Sequence, residues 1–389
     1  MSKFLLASNK GELLPVARKL QEEGATVLLW SARPEAKHVG KGIVPIADSV
    51  NLPETDMKRA YLILNSSAHS NYFDLNKLGW RVLGDKEIAF PNTTFQMTKL
   101  LGALGQPMPA TSFPASLDDI SLNGIPLRIS RGVIGDDVVI GGEEGEAWLK
   151  WQSGRPSGPF VVQETPDGAE VELAFWCISG KLLTPMIAAV ARGGQLLAWA
   201  ESGDVVQGIL NKVCESLGDY TGPLWTTIQV IRKPKQVLLR TISGDWPPYM
   251  WSAFLALLDG QLRDFLEDLF RGEPISLQEG WAWVLPVADM RGALPFTSIA
   301  SILKDCPIDG EGHTWDAYKT DEDVLAGGVS STPVTLWGLG DTPGAAQERA
   351  QERWMNLSCP FKTPSPDVLD SMKETVDKLR HFKLCTKEA

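Results

Sequence analysis

Residues Phe160 to Leu183 read FVVQETPDGAEVELAFWCISGKLL. Two apolar runs flank a Thr-Pro-Asp-Gly turn, and the second run carries Glu170 and Glu172 at alternate positions. That period of two predicts a pair of strands meeting at a turn. The carboxylates admit two readings. One is a hairpin with a solvated face, apolar and polar residues alternating. The other is one wall of a nucleotide site. The residues of this stretch leave both open.

Moving outward, the stretch sits in a β-rich centre. PLRIS and DVVIGG precede it, KLLTPMIAAVA and LLAWAES follow, then a helix QGILNKVCESLG and two more strands, WTTIQVIRKP and QVLLRTIS. WSAFLALLDGQLRDFLEDLFRG reads as one long amphipathic helix, followed by a strand, EGWAWVLPVA. The tail holds a glycine-containing turn at 325–329, a strand TPVTLWGLG, the helix TPGAAQERAQERWMNL and a charged helix over 365–382. Acids and lysines alternate at helical spacing in that last helix, which predicts a solvated face. Whether it docks on the body or on a partner is left open.

The N-terminal end has a different rhythm. KFLLAS, a turn NKG, the helical ELLPVARKLQEEG and ATVLLWS alternate strand with helix, and AYLILNS (60–66) and WRVLGDKE (80–87) add further strands. Such alternation implies a parallel sheet with crossover connections. Ligands of such sheets lie beyond the carboxyl ends of the strands. Here those ends carry Lys10, Gly11 and Asn65. A helix over about 93–105 and the proline-broken QPMPATS then lead into the centre.

The bulk properties fit a soluble multidomain protein. With 389 residues the chain is long enough for two or three cores. A net charge of −11 argues against a general nucleic-acid or membrane-surface binder. The 5 cysteines include no CxxC, and the 4 histidines show no ligand spacing. Reduced thiols and a cytoplasmic location are the expectation. No apolar run is long enough for a membrane span, and the 14 tryptophans read as packing residues.

Three stretches in order carry a family resemblance: the opening one, YTGPLWTTIQVIRKPKQVLLRTISGDWPPYMWSAF, and GHTWDAYKTDEDVLAGGVSSTPVTLWGLGDTPGAAQERAQERW. Together they resemble the ATP-grasp ligases, and among those the phosphoribosylamine–glycine ligases, over nearly the whole chain. The resemblance implies an α/β and α+β multidomain architecture. A Rossmann-like domain over 1–90 precedes the ATP-grasp domain of two β-rich lobes over 91–276. A small α+β domain over 277–360 and a helical tail over 361–389 complete it. It implies ATP and Mg²⁺ as cofactors, and small-molecule carboxylate and amine substrates joined through an acyl phosphate, as in purine biosynthesis. Assembly into a homo-oligomer stays open.

Carried over position by position, the resemblance places cofactor binding at Gln163, Glu164, Glu170 and Arg128: the strand end at Gln163 and Glu164 is the hinge whose main-chain groups meet an adenine edge, and Glu170 is the carboxylate that meets the ribose hydroxyls. Catalytic charge falls to Arg128, Arg131 and Asp245, and a metal ligand to Asp245. Substrate binding falls to Lys10, Gly11 and Asn65, with Lys10 and Gly11 at the turn that meets a substrate phosphate. The departures are as informative. The family's phosphate lysine is Ser130 here, with Arg128 and Arg131 flanking it, and its two metal ligands fall on Leu239 and Thr241. Phosphoryl transfer is mostly positioning and charge neutralisation. Two expectations therefore stand side by side: a divergent ATP-dependent ligase, or a degenerate ATP-grasp protein serving as a binding, regulatory or structural module.

Overall fold

The computed structural model describes residues 2–8, 10–31, 33–47, 61–64, 81–84, 94–130, 137–152, 160–165, 168–231, 236–273, 275–287, 312–314, 317–319, 324–326, 334–356 and 367–387. The chain opens with β1 (Lys3–Ser8), α1 (Leu14–Glu22), β2 (Thr26–Ser31), β3 (Tyr61–Leu64) and β4 (Arg81–Leu83). Then come α2 (Thr94–Ala103), β5 (Thr111–Ser112), β6 (Leu127–Ser130), β7 (Asp137–Ile140), α3 (Gly142–Gln152) and β8 (Val161–Glu164). The long strands β9 (Gly168–Ile178), β10 (Lys181–Arg192) and β11 (Gln195–Glu201) precede α4 (Asp204–Ser216), β12 (Gly222–Ile231) and β13 (Gln236–Ser243). Next stand α5 (Pro248–Leu257), α6 (Leu262–Arg271), β14 (Trp281–Val287), β15 (Gly312–Thr314), β16 (Ala317–Lys319) and β17 (Val324–Ala326). The chain closes with β18 (Val334–Gly340), α7 (Pro343–Asn356) and α8 (Leu369–His381).

Two compact units divide these elements, both discontinuous in sequence: Met1–Ile88, Leu173–Leu224 and Gly244–Ala389 form the first, Ala89–Glu172 and Trp225–Ser243 the second. In the first, β2-β1-β3-β4 form a parallel sheet, as the alternating N-terminal pattern predicts. A second sheet of the same unit runs β10-β11-β14-β18-β15 with every pair antiparallel. Helix α7 packs on β18 and β14, α5 on β14 and β18, and α4 and α8 on β10. The charged C-terminal helix therefore docks on the body of its own unit. Its buried stripe is Met372, Thr375, Val376 and Leu379.

The 248–271 stretch departs from the expectation of one helix. It is two helices, α5 and α6, interrupted where Leu258 bridges to Leu277 and Gly260 takes φ +99°. A left-handed φ of that kind is available to glycine at little cost. The Glu23 carboxylate then caps the second helix, accepting from Leu262 N–H at 3.0 Å and Arg263 N–H at 2.7 Å. Two of the four amides that every helix start leaves unpaired are thereby satisfied. The sequence pattern does not announce helix α3, because GEEGEAWLKWQ holds 2 glycines and only a weak apolar stripe.

Most of the described tryptophans serve as packing residues, whereas Trp151 is 63% exposed. Trp176, Trp246, Trp251, Phe254 and Phe265 form one aromatic cluster in the first unit, with ring centroids 4.7 to 6.2 Å apart. Trp176 meets Trp251 and Phe254 edge to face, an arrangement the ring quadrupoles favour. Cys177, Cys214 and Cys385 are free and buried, and burial pushes the Cys385 thiol up to about 12. No helix among the described residues is long and apolar enough to cross a membrane.

Candidate functional site

The register of the small sheet β5-β8-β6-β7 in the second unit sets the site. Strands β6 and β8 pair antiparallel, with Leu127 opposite Glu164, Arg128 opposite Gln163, Ile129 opposite Val162 and Ser130 opposite Val161. Opposed residues share a face and successive residues alternate. Leu127, Ile129 and Val162 thus lie on one face, and they pack with Leu117, Ile140, Phe160, Trp148 and Leu149. Arg128, Ser130 and Gln163 lie on the other.

On that second face the sequence-derived residues converge in part. Arg128 Nη2 donates to Glu170 Oε2 at 2.9 Å, with both side chains about a quarter exposed. The cation expected beside phosphate and the carboxylate expected at the ribose are therefore partners of each other. Gln163 stands opposite Arg128, is 4% exposed, and its Nε2 finds no hydrogen-bond partner among the described residues. The side chain of Glu164 lies on the opposite face. There it lines a cavity of about 250 Å³ with Ile120, Ile125, Leu127 and Val162. Glu172 accepts from the Trp225 indole N–H at 3.0 Å.

The most informative residue here is one that sequence reasoning passed over. Arg240, in the middle of β13, is 1% exposed. Its Nε donates to Gln229 Oε1 at 2.9 Å, and its Nη2 donates to the Glu164 carbonyl at 3.0 Å and to Thr165 Oγ1 at 3.1 Å. Desolvating a guanidinium costs several kcal/mol unless hydrogen bonds compensate, and these three fix where it sits. The signal was present as a lone charge inside the apolar run VLLRTI. Its partners lie 11, 75 and 76 residues away, so no local pattern announces them.

The positions to which the resemblance assigns metal ligands, Leu239 and Thr241, do not suit Mg²⁺. That ion takes oxygen ligands in a near-octahedral arrangement. Leu239 is aliphatic and 1% exposed. The Thr241 hydroxyl accepts from Thr227 N–H at 2.9 Å and donates to Thr227 Oγ1 at 3.1 Å. Arg240 stands between them in sequence with a charge that repels a cation. Among the described residues no group of three His, Cys, Asp or Glu side chains stands ready to hold a metal. Asp245 belongs to the first unit, just past β13, and one of its carboxylate oxygens is buried.

In the N-terminal sheet, Gly11 takes φ +95° in the turn after β1, and its N–H donates to Ser8 Oγ at 2.9 Å. The Lys10 N–H donates to the Glu12 carboxylate at 2.6 Å, and Glu12 is 6% exposed. An anion of the chain itself thus sits at the turn where a substrate phosphate was expected, and a second anion there would be repelled. Asn65 and Arg131 lie outside the described residues.

The Arg128–Glu170 pair allows a modest prediction. Both groups keep solvent access, and exposed or partly exposed pairs are worth about 0–1 kcal/mol. Glu170→Gln is expected to lower stability by less than ~1 kcal/mol in urea unfolding, with the difference shrinking in high salt. A loss of several kcal/mol would show that the pair, and not the surrounding sheet, holds Arg128 in place.

This fold is that of the ATP-grasp proteins. The chain is similar over nearly its whole length to solved structures of that architecture, all at low identity. Phosphoribosylamine–glycine ligase from Thermotoga maritima superposes with a TM-score of 0.69 at 12% identity, covering 93% of this chain and 98% of that one. N5-carboxyaminoimidazole ribonucleotide synthetase from Thermotoga maritima gives 0.60 at 14% identity, covering 92% and 99%. L-amino acid ligase from Bacillus licheniformis gives 0.59 at 11% identity, covering 93% and 99%. No protein-family model and no curated protein sequence matches the chain.

Proposed function

We propose that this chain uses the ATP-grasp fold as a small-molecule binding module and does not run ligase chemistry through the family's metal positions. The observation that carries this reading is Arg240 beside Leu239. A buried guanidinium and a buried leucine occupy the strand where acyl-phosphate chemistry needs oxygen ligands for a cation. The fold and a polar face around Arg128 and Gln163 are present, while among the described residues the one cation expected there, Arg128, is paired with Glu170. Fold and activity separate readily in this way.

A second reading is a divergent ATP-dependent carboxylate–amine ligase. The likeness to ligases across nine-tenths of the chain favours it. So do neighbours of the same fold solved with ADP and with ATP, together with Arg128 on the polar face of the small sheet. One assay separates the two. The full chain is incubated with ATP and Mg²⁺ across a panel of amino acids and amines, and ADP release is followed. The binding-module reading expects release no faster than the protein-free blank with every pair. Turnover of about one per minute or more with any pair, carried by a highly purified sample, would sink it.

A further inference from the structure

The geometry points to Arg240 as a resident occupant of the hinge that removes purine reading from it. An adenine edge asks a hinge for a carbonyl, to accept from its amino group, and for a main-chain N–H to donate to the neighbouring ring nitrogen. At Glu164 the carbonyl already accepts from Arg240 Nη2 at 3.0 Å. The Glu164 N–H donates to the Ala110 carbonyl at 3.0 Å, and the Thr165 N–H to the Pro126 carbonyl at 2.7 Å. Residue 166 is proline, which has no N–H to give. Across three consecutive residues every main-chain donor is committed or missing, and the Glu164 carbonyl already accepts one hydrogen bond from the chain's own β13, which leaves a base to compete for its second lone pair.

Arg240 thus stands in for the amino group of a base. It is not a surface arginine that has drifted inward. It is 1% exposed, and the Gln229 amide fixes its Nε from the neighbouring strand β12. The Thr165 hydroxyl takes the second proton of Nη2 at 3.1 Å. A ligand on this face is then held through Gln163, whose Nε2 is buried without a partner among the described residues, and through the ion pair of Arg128. The Gln163 amide carries both a donor and an acceptor, so it can meet either a 6-amino or a 6-oxo group. The inference rests on the reading of this face as a ligand surface and adds to it that the surface is indifferent to a 6-amino or 6-oxo group.

The test compares ATP with inosine triphosphate, which differ at that position, by calorimetry on the full chain. The wild type is expected to bind both within about twofold, or neither. Arg240→Met keeps the length of the side chain and frees the Glu164 carbonyl. It is expected to prefer ATP by about tenfold, the worth of one restored hydrogen bond. Circular dichroism and a urea midpoint establish that the variant is folded. A wild type that prefers ATP tenfold overturns the proposal, as does a folded Arg240→Met protein with no gain in preference. Should Arg240→Met fail to fold, Arg240→Lys serves. Its ammonium cannot span Gln229 and Glu164 together, and a folded protein with no ATP preference of threefold or more also overturns the proposal. Turnover in the ADP-release assay would refute the binding-module reading without touching this one.

Discussion

Replacing Glu201 by alanine is expected to lower the stability of the first unit by about 3–5 kcal/mol. Glu201 ends β11 with no solvent exposure, yet its carboxylate is fully engaged. It accepts from the Trp199 indole N–H at 2.9 Å, Ser202 N–H at 3.0 Å and Gly203 N–H at 2.7 Å. From the far end of the chain, the Thr386 N–H and hydroxyl add bonds of 3.0 and 3.1 Å. Alanine would strand several donors at once, two of them on fully buried residues, and each such group costs about 1–3 kcal/mol. The same carboxylate anchors the segment after α8, where Leu384 and Cys385 are buried. Glu201→Ala should therefore also expose that segment to carboxypeptidase and limited trypsin digestion. Glu201→Gln keeps one acceptor oxygen and is expected to lose roughly half as much. A urea-derived loss below about 1 kcal/mol for Glu201→Ala, with the tail still protected, would show that the tail is held by its apolar contacts alone.

The Glu201 clamp illustrates what the sequence could and could not convey. The strands were legible because apolar runs with turn residues at their ends are local signals, and nearly every described strand of the centre falls where such a run occurs. The charged C-terminal helix was equally visible. Its docking was not, because the β10 surface it packs on, and the Glu201 carboxylate that holds Thr386 after it, lie far upstream. Arg240 follows the same logic at the candidate site. One arginine in an apolar strand is a weak pattern until Gln229, Glu164 and Thr165 are seen around it. The long-helix expectation over 251–272 failed for a different reason. Apolar spacing continues through Leu258, and only the Asp259-Gly260 pair breaks it, with Glu23 placed to cap the second helix. Helix period and helix continuity are separate properties. Family resemblance assigned Arg128, Gln163 and Glu170 to one cofactor site, but said nothing of whether they would face a ligand or each other.

The glycine of the opening stretch carries the second large effect. In TPDG the residue reads as turn chemistry, where glycine is favoured for its backbone freedom. The structure gives Gly168 a different reason to be glycine. It begins β9 beside β12, and a Cβ at this position would lie 1.9 Å from the Val230 carbonyl oxygen and 3.0 Å from its carbon. Both atoms are main chain, so no side chain can rotate aside, and the two strands must part by about an ångström or more. Overpacking of this kind costs typically about 1–3 kcal/mol where side chains can adjust and more where they cannot. Gly168→Ala is therefore expected to lose about 3 kcal/mol or more in urea unfolding. Gly194 is the matching control. Its φ is +77°, but a Cβ there would meet nothing within 4 Å. Gly194→Ala should lose only about 1 kcal/mol, the strain of a left-handed residue. The displacement at Gly168 also reaches function, because Val230 adjoins Gln229, the residue that orients Arg240. A shifted β12 loosens that guanidinium from the Glu164 carbonyl, so the surviving folded fraction of Gly168→Ala should discriminate ATP from inosine triphosphate in the direction of the Arg240 variants. Equal losses for the two glycine substitutions would place the requirement in backbone conformation and remove the strand contact as its cause.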